Sequence, residues 1–259
     1  MIDLHSHILP NLDDGASDWA QALAMARAAA ADGITDVVCT PHWVPGKYDN
    51  TRSMILERMD EYRTHLAKAG IHLRLHPGAE LRLDFTLPAR IKSGELLTIG
   101  DGGIYVLIEL PDGALPEHLE EFFWELELQR IKPIFSHVER NAVLHQDPSR
   151  LCRWVEMGYL VQVTAASLAG GFTKEIRGFV QLLLEHRMVH ILASDSHGLR
   201  TRAPNLSEGL AVAGEIIGIK AAKRMVSDIP ACVLRGETVN IPDPIPIQKK
   251  KSFFDFFRH

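Results

Sequence analysis

Short apolar runs rich in β-branched residues alternate with longer helical patterns along this chain. That alternation restricts the fold to βα units laid around a parallel sheet. Seven runs read as strands: residues 2–7, 34–42, 71–80, 104–109, 133–137, 159–164 and 189–195. Helices are predicted over 17–32, 51–69 and 148–157, each stopped by a glycine (Gly33, Gly70, Gly158) that supplies the left-handed turn. Further helices are expected over 116–130, 173–187 and 204–217, the last with Pro204 as a preset first-turn residue. Periodicity alone leaves an open doubly wound sheet and a closed barrel equally available.

With 259 residues, 46% hydrophobic and 24% charged, the chain can bury a full core as one domain or, less readily, two. A formal charge of -5 provides no basic field to attract nucleic acid or anionic lipid. Cys39, Cys152 and Cys232 are widely spaced and lack a CxxC, which indicates neither a disulfide framework nor a zinc knuckle. No signal peptide opens the chain, and no run of about 20 apolar residues could cross a bilayer. The expected location is therefore the cytoplasm. Residues 1–240 are read as one catalytic domain, and 241–259 as a proline-rich strap with a basic, aromatic tail. That tail is expected to fray or tuck against the domain, in preference to a weak peripheral membrane or partner contact.

The predicted strand ends carry the chemistry. In order they present His5 and His7, His42, Glu80, Glu109, His137, and Asp195 with His197. In a parallel barrel all C-terminal strand ends open on one face, so side chains remote in sequence converge there. Asp14, in Asp13-Asp14-Gly15, adds a further acidic donor from the first loop. A lone strand-end histidine is usually a hydrogen-bonded surface residue, but nine candidates together are a constellation. Glu109 and Asp195 sit in apolar runs where an uncompensated carboxylate costs several kcal/mol or more, and a bound cation removes both objections. The donor set is nitrogen and oxygen without thiolate, which admits manganese, iron, zinc or magnesium, as two or three ions.

These residues carry a resemblance. Residues 1–10 with Asp13-Asp14-Gly15, Thr40-Pro41-His42, Gly78-Ala79-Glu80, Leu107-Ile108-Glu109, Ser136-His137-Val138-Glu139-Arg140 and Ser194-Asp195-Ser196-His197 resemble the PHP (polymerase and histidinol phosphatase) superfamily. Within it they are most similar to the bacterial capsule-type manganese-dependent protein-tyrosine phosphatases. The resemblance implies a distorted (β/α)7 TIM-like barrel holding three ions. His7, Glu80 and Asp195, with His5 beside them, would hold the first; Glu80, Glu109 and His137 the second; Asp14, His42 and His197 the third. It also implies Arg140 and Arg202 near the phosphate, a role suited to a guanidinium fork. Thr164 departs from the asparagine often found there, and the loop from Trp43 to Tyr48 also differs in character. Both bear on substrate range.

The function expected on this reading is phosphotyrosine hydrolysis by a metal-bridged hydroxide, with a bacterial tyrosine kinase of polysaccharide export as partner. Cysteine-based dephosphorylation is excluded, because it needs Cys-x5-Arg and the residues six beyond the three cysteines are Pro45, Gly158 and Thr238. No Walker loop is present either. The rivals are a histidinol-phosphate or other small phosphomonoester phosphatase and a catalytically silent, metal-stabilised docking module. An amidohydrolase would want a lysine where this chain has Glu109.

Overall fold

The structure, a computed structural model, describes residues 1–200 and 202–247. The aromatic tail read from the sequence at 249–259 lies outside the described residues. Among the described residues ten strands are formed: β1 (Ile2–Ser6), β2 (Asp36–Cys39), β3 (His42–Val44), β4 (Tyr48–Asp49), β5 (Arg74–Pro77), β6 (Glu80–Arg82), β7 (Tyr105–Glu109), β8 (Lys132–Phe135), β9 (Leu160–Thr164) and β10 (Ile191–Ala193). Two of the expected runs are each divided in two. The break at Thr40-Pro41 separates β2 from β3, where proline has no N–H to give a ladder. The break at Gly78-Ala79 separates β5 from β6; there a side-chain carbon on Gly78 would lie 2.7 Å from Val38 Cγ1, so only glycine fits.

One sheet has the order β1-β2-β5 and the other β10-β9-β8-β7-β6-β3-β4, with every pairing parallel except the β3–β4 hairpin. The sheets meet where Asp195 N donates to His5 O at 2.9 Å and His7 N donates to Ser196 O at 2.9 Å. The molecule is thus a mixed α/β structure built on parallel sheets.

All six expected helices form, over Trp19–Ala31, Arg52–Lys68, Leu119–Leu128, Ser149–Glu156, Lys174–Glu185 and Ser207–Ile217. The last begins three residues beyond Pro204, which does not open it. The side chain of Asp32, at the end of the first helix, accepts the backbone N–H groups of Leu206 and Ser207 at 2.7 and 3.1 Å and so sets the start from another element. Short helices over Ala142–Gln146, Ala165–Ala169, Ile219–Arg224 and Asp228–Leu234, absent from the sequence reading, fill the connections.

Strand side chains alternate between two apolar cores. Leu4, Val38, Tyr105, Leu107, Ile134, Leu160, Ile191 and Ala193, drawn from both sheets, pack together on the inner face. Their neighbours Val37, Val106, Ile108, Phe135, Val161 and Leu192 pack outward in the second core, which includes the helices. Continuing the two-residue period along the inner face leads to His42, Glu109, Ser136, Gln162, Thr164 and Asp195 at the C-terminal ends. The apolar pattern that closes the core therefore also aims the polar side chains. In the outer core the buried Tyr62 hydroxyl donates to Ala22 O at 2.5 Å and ties the first two long helices. Tyr62→Phe is expected to lower unfolding free energy by about 1 kcal/mol with an unchanged denaturant slope, read from equilibrium urea curves.

Candidate metal centre

The strand ends bring nine side chains together, with two imidazole nitrogens facing each other beside two carboxylates. His5 Nε2 lies 3.0 Å from His7 Nε2. The two nitrogens lie 3.1 and 3.3 Å from Glu80 Oε2, and 3.3 and 3.4 Å from Asp195 Oδ1. Four donors held at about 2.0–2.1 Å around one small divalent ion would be about 3.3 Å apart. Three of these side chains are fully buried and Asp195 nearly so.

His42 connects this group to two others. Its Nδ1 is 3.1 Å from Glu80 Oε2 and 3.9 Å from Glu109 Oε2, while its Nε2 is 3.5 Å from Asp14 Oδ1. His197 Nε2 approaches the same Asp14 oxygen at 3.5 Å. Donor atoms close enough to share an ion form three groups: His5, His7, Glu80 and Asp195; His7, Asp14, His42 and His197; and His42, Glu80 and Glu109. Relative to the sets implied by the resemblance, His7 enters the Asp14 group and His42 joins Glu80 and Glu109. His137 lies on the same carboxylates, its Nε2 2.8 Å from Glu80 Oε1 and 3.9 Å from Glu109 Oε1.

The donor set fits a metal cluster on a second count. Buried polar atoms normally find hydrogen-bond partners, yet among the described residues no well-directed hydrogen bond reaches His42 Nδ1, Glu80 Oε2, Asp195 Oδ1 or His197 Nε2, although the first two lie 3.1 Å apart. All four point into the cluster. Burial alone would raise the pKa of Glu80, but His5 and His137 hold it well below the usual carboxylate range. Asp195 is likewise held low, against burial, by His5, His7 and Arg140. Burial and the neighbouring His7 push His42 down to about 4, whereas His7 itself, against burial, is raised well above its ordinary value by Asp13, Asp195 and Glu80 together. Burial and the adjacent Glu80 push Glu109 up.

Both expected arginines reach the cluster. Arg140 Nη2 donates to Asp195 Oδ2 at 2.6 Å and to Thr164 Oγ1 at 2.9 Å, with its guanidinium 4.8 Å from the Phe172 ring centre. Arg202 Nη1 is 3.5 Å from Asp195 Oδ2, and its Nη2 is 3.9 Å from Asp14 Oδ2. With Arg200, Asp14 and His197 it lines an open cavity of about 530 Å³.

The supporting side chains escaped the sequence reading. Asp13 Oδ2 accepts from His7 Nδ1 at 2.6 Å and from His42 N at 2.9 Å, while its Oδ1 accepts from Gly15 N at 2.9 Å. A β-carbon at Gly15 would lie 2.1 Å from His7 O, so the loop closes on His7 only with glycine there. Gln162 Oε1 lies 3.0 Å from His5 Nδ1 and takes His137 N at 3.1 Å. Ser136 Oγ donates to Glu80 Oε1 at 2.6 Å. Two-residue alternation from Ile134 and Leu160 was the available signal for Ser136 and Gln162. His137 and Asp195 hold φ of 28° and 50°, sparsely populated for residues with a β-carbon and typical of places where function sustains strain. Asp13→Asn is expected to weaken metal binding about 10–100-fold by loosening the His7 ring, with the fold intact. Manganese titration against a competing chelator measures this, and unchanged affinity would remove Asp13 from the positioning role.

A family model described as capsular polysaccharide synthesis, CpsB/CapC, matches residues 1–235. Tyrosine-protein phosphatase YwqE of Bacillus subtilis (strain 168) is 36% identical over 257 residues, covering 99% of this chain and 100% of that protein. Tyrosine-protein phosphatase CpsB of Streptococcus pneumoniae is 24% identical over 244 residues, covering 92% and 100%. A crystal structure from a study of YwqE of Bacillus subtilis and CpsB of Streptococcus pneumoniae, described there as unique metal-dependent tyrosine phosphatases, superimposes with a TM-score of 0.92. It is 36% identical and covers 96% of this chain and 100% of that one.

Proposed function

Because the chain belongs to the CpsB/CapC family of capsular polysaccharide synthesis, we propose that its strand-end cluster is the centre at which phosphotyrosine is hydrolysed. The protein is a metal-dependent tyrosine phosphatase. The observation that carries the assignment to this site is that four buried donor atoms, reached by no well-directed hydrogen bond among the described residues, meet beside two guanidinium groups.

The two sheets are read as one distorted seven-stranded barrel, spanning the catalytic domain 1–240, with 241–259 outside it. The bonds between β1 and the segment after β10, and the apolar interior shared by both sheets, support this reading. His5, His7, Asp14, His42, Glu80, Glu109, His137, Asp195 and His197 would hold two or three divalent ions, manganese first among them. When bound, such ions supply positive charge to phosphoryl oxygens and make water nucleophilic at neutral pH. Asp13, Ser136 and Gln162 fix the orientation of the ligands. Arg140 and Arg202 would bind the phosphate oxygens, Arg140 with its approach set by Thr164 and Asp195. The partner would be a tyrosine-phosphorylated kinase in the cytoplasm, a location compatible with there being no helix long and apolar enough to cross a membrane among the described residues.

Phosphate release from a phosphotyrosine peptide and from histidinol phosphate, each with manganese and with chelator, tests the assignment. The peptide should turn over faster with manganese, and chelation should suppress the rate by about 10²-fold or more. Faster release from histidinol phosphate would make the protein a small-phosphomonoester phosphatase. Rates indifferent to chelation would overturn the metal reading.

A further inference from the structure

A second cavity, of about 450 Å³, opens beside His190. His190 precedes β10, and Asp195 follows it, so the cavity lies at the strand end opposite the metal centre. This volume falls in the range of small-molecule sites, which are largely apolar with a few placed polar groups. The walls include Leu184, Val189, Ile216, Met225, Ile229 and Ile241. The proline-rich strap forms part of the wall through Asn240, Ile241, Pro242 and Ile245. Two bonds pin it there: Ile245 N donates to His186 O at 2.9 Å, and His186 Nδ1 donates to Ile245 O at 2.7 Å.

His190 is the unexplained polar group of this wall. It is 2% exposed. Its Nδ1 accepts the Val161 N–H at 3.1 Å, which places the ring proton on Nε2, and Nε2 has no partner among the described residues. Burial pushes its pKa down to about 3, so the ring is a neutral donor at physiological pH. Two arginines also line the cavity. Arg187 is exposed and makes no ion pair among the described residues, and Arg224 has only a 4.0 Å approach to Asp228. The one acidic residue in the lining, Glu185, accepts from Gln181 Nε2 at 2.8 Å.

We infer that this cavity binds a small amphipathic acid: an apolar chain against the walls, a carboxylate at Arg187 and Arg224, and an oxygen along the chain accepting from His190 Nε2. A cavity with apolar walls, an orphan donor and cationic groups has the complement of such a molecule and of neither a bare anion nor a hydrocarbon.

Isothermal titration calorimetry of the full metal-loaded chain with 10-hydroxydecanoate tests the site, with decanoate and 1-decanol as comparisons. One molecule of the hydroxy acid should bind per chain, at least about threefold tighter than decanoate and about tenfold tighter than decanol, as charge-assisted contacts require. Ala221→Trp, at an exposed lining position, should abolish binding, and Arg187→Gln should weaken both acids about fivefold while leaving decanol unchanged. Unchanged melting temperatures would show that both variants fold. No saturable binding of the hydroxy acid, or binding indifferent to Ala221→Trp, would overturn the inference.

Discussion

Glu80→Gln is expected to reduce kcat/KM for a phosphotyrosine peptide by about 10³-fold and to lower the number of manganese ions retained per chain. The carboxylate is the hub of the cluster. Oε2 faces His5, His7 and His42 at 3.1, 3.3 and 3.1 Å, while Oε1 faces His137 at 2.8 Å and accepts from Ser136 Oγ at 2.6 Å. It is also the carboxylate common to two of the three candidate ligand groups. Glutamine preserves the volume but replaces one anionic oxygen with an NH2 donor, which cannot ligate a cation beside imidazole nitrogens. Losing an ion removes charge stabilisation that is available only through the metal, so the effect lies at the upper end of the 10²–10³-fold typical of one lost oxyanion donor. Elemental analysis of the purified variant, together with steady-state kinetics over a manganese range, separates lost metal from lost chemistry. A full metal complement with near-normal turnover would displace Glu80 from the centre.

Arg140→Ala should cost about 10²–10³-fold in kcat/KM with most of the metal retained. The guanidinium is held by Asp195 and Thr164 and lies against Phe172, so its orientation is set before substrate arrives. Its Nε is buried without a partner among the described residues. Arg140→Lys should recover only part of the loss, because an ammonium offers a point charge and no planar fork. Guanidinium added to the alanine variant should restore measurable rate, which a merely structural role for Arg140 would not allow. Inhibition by inorganic phosphate should weaken in parallel with the loss of rate. A variant that bound phosphate normally would place Arg140 outside the substrate site.

The alternation of β-branched runs with glycine-stopped helices was enough to read the α/β class and all six long helices. It did not reveal the breaks at Thr40-Pro41 and Gly78-Ala79. There, one strand changes partner from one sheet to the other, and contacts between distant segments decide the partner. Pro204 misled for a similar reason. The helix start is set by the Asp32 carboxylate, about 170 residues earlier in the chain. Short helices after β9 and near the end of the domain carry too few residues for a period to show.

The kinds of donor at the strand ends could be read from the chain alone, because residue type and position along a strand are local properties. His5, His7, His42, Glu80, Glu109, His137, Asp195 and His197 were visible in this way. How they divide was not. His42 turns one ring nitrogen to Glu80 and the other to Asp14. Asp13, next to Asp14, stands behind His7 rather than beside a cation site. Gln162 and Ser136 brace His5 and Glu80 from strands that are not their sheet neighbours. Local sequence thus determined which donor types were present, while the tertiary structure alone decided which of their atoms come together. Strand period and residue type are carried by neighbours in the chain, whereas the packing of the parallel strands sets distances between groups up to about 190 positions apart.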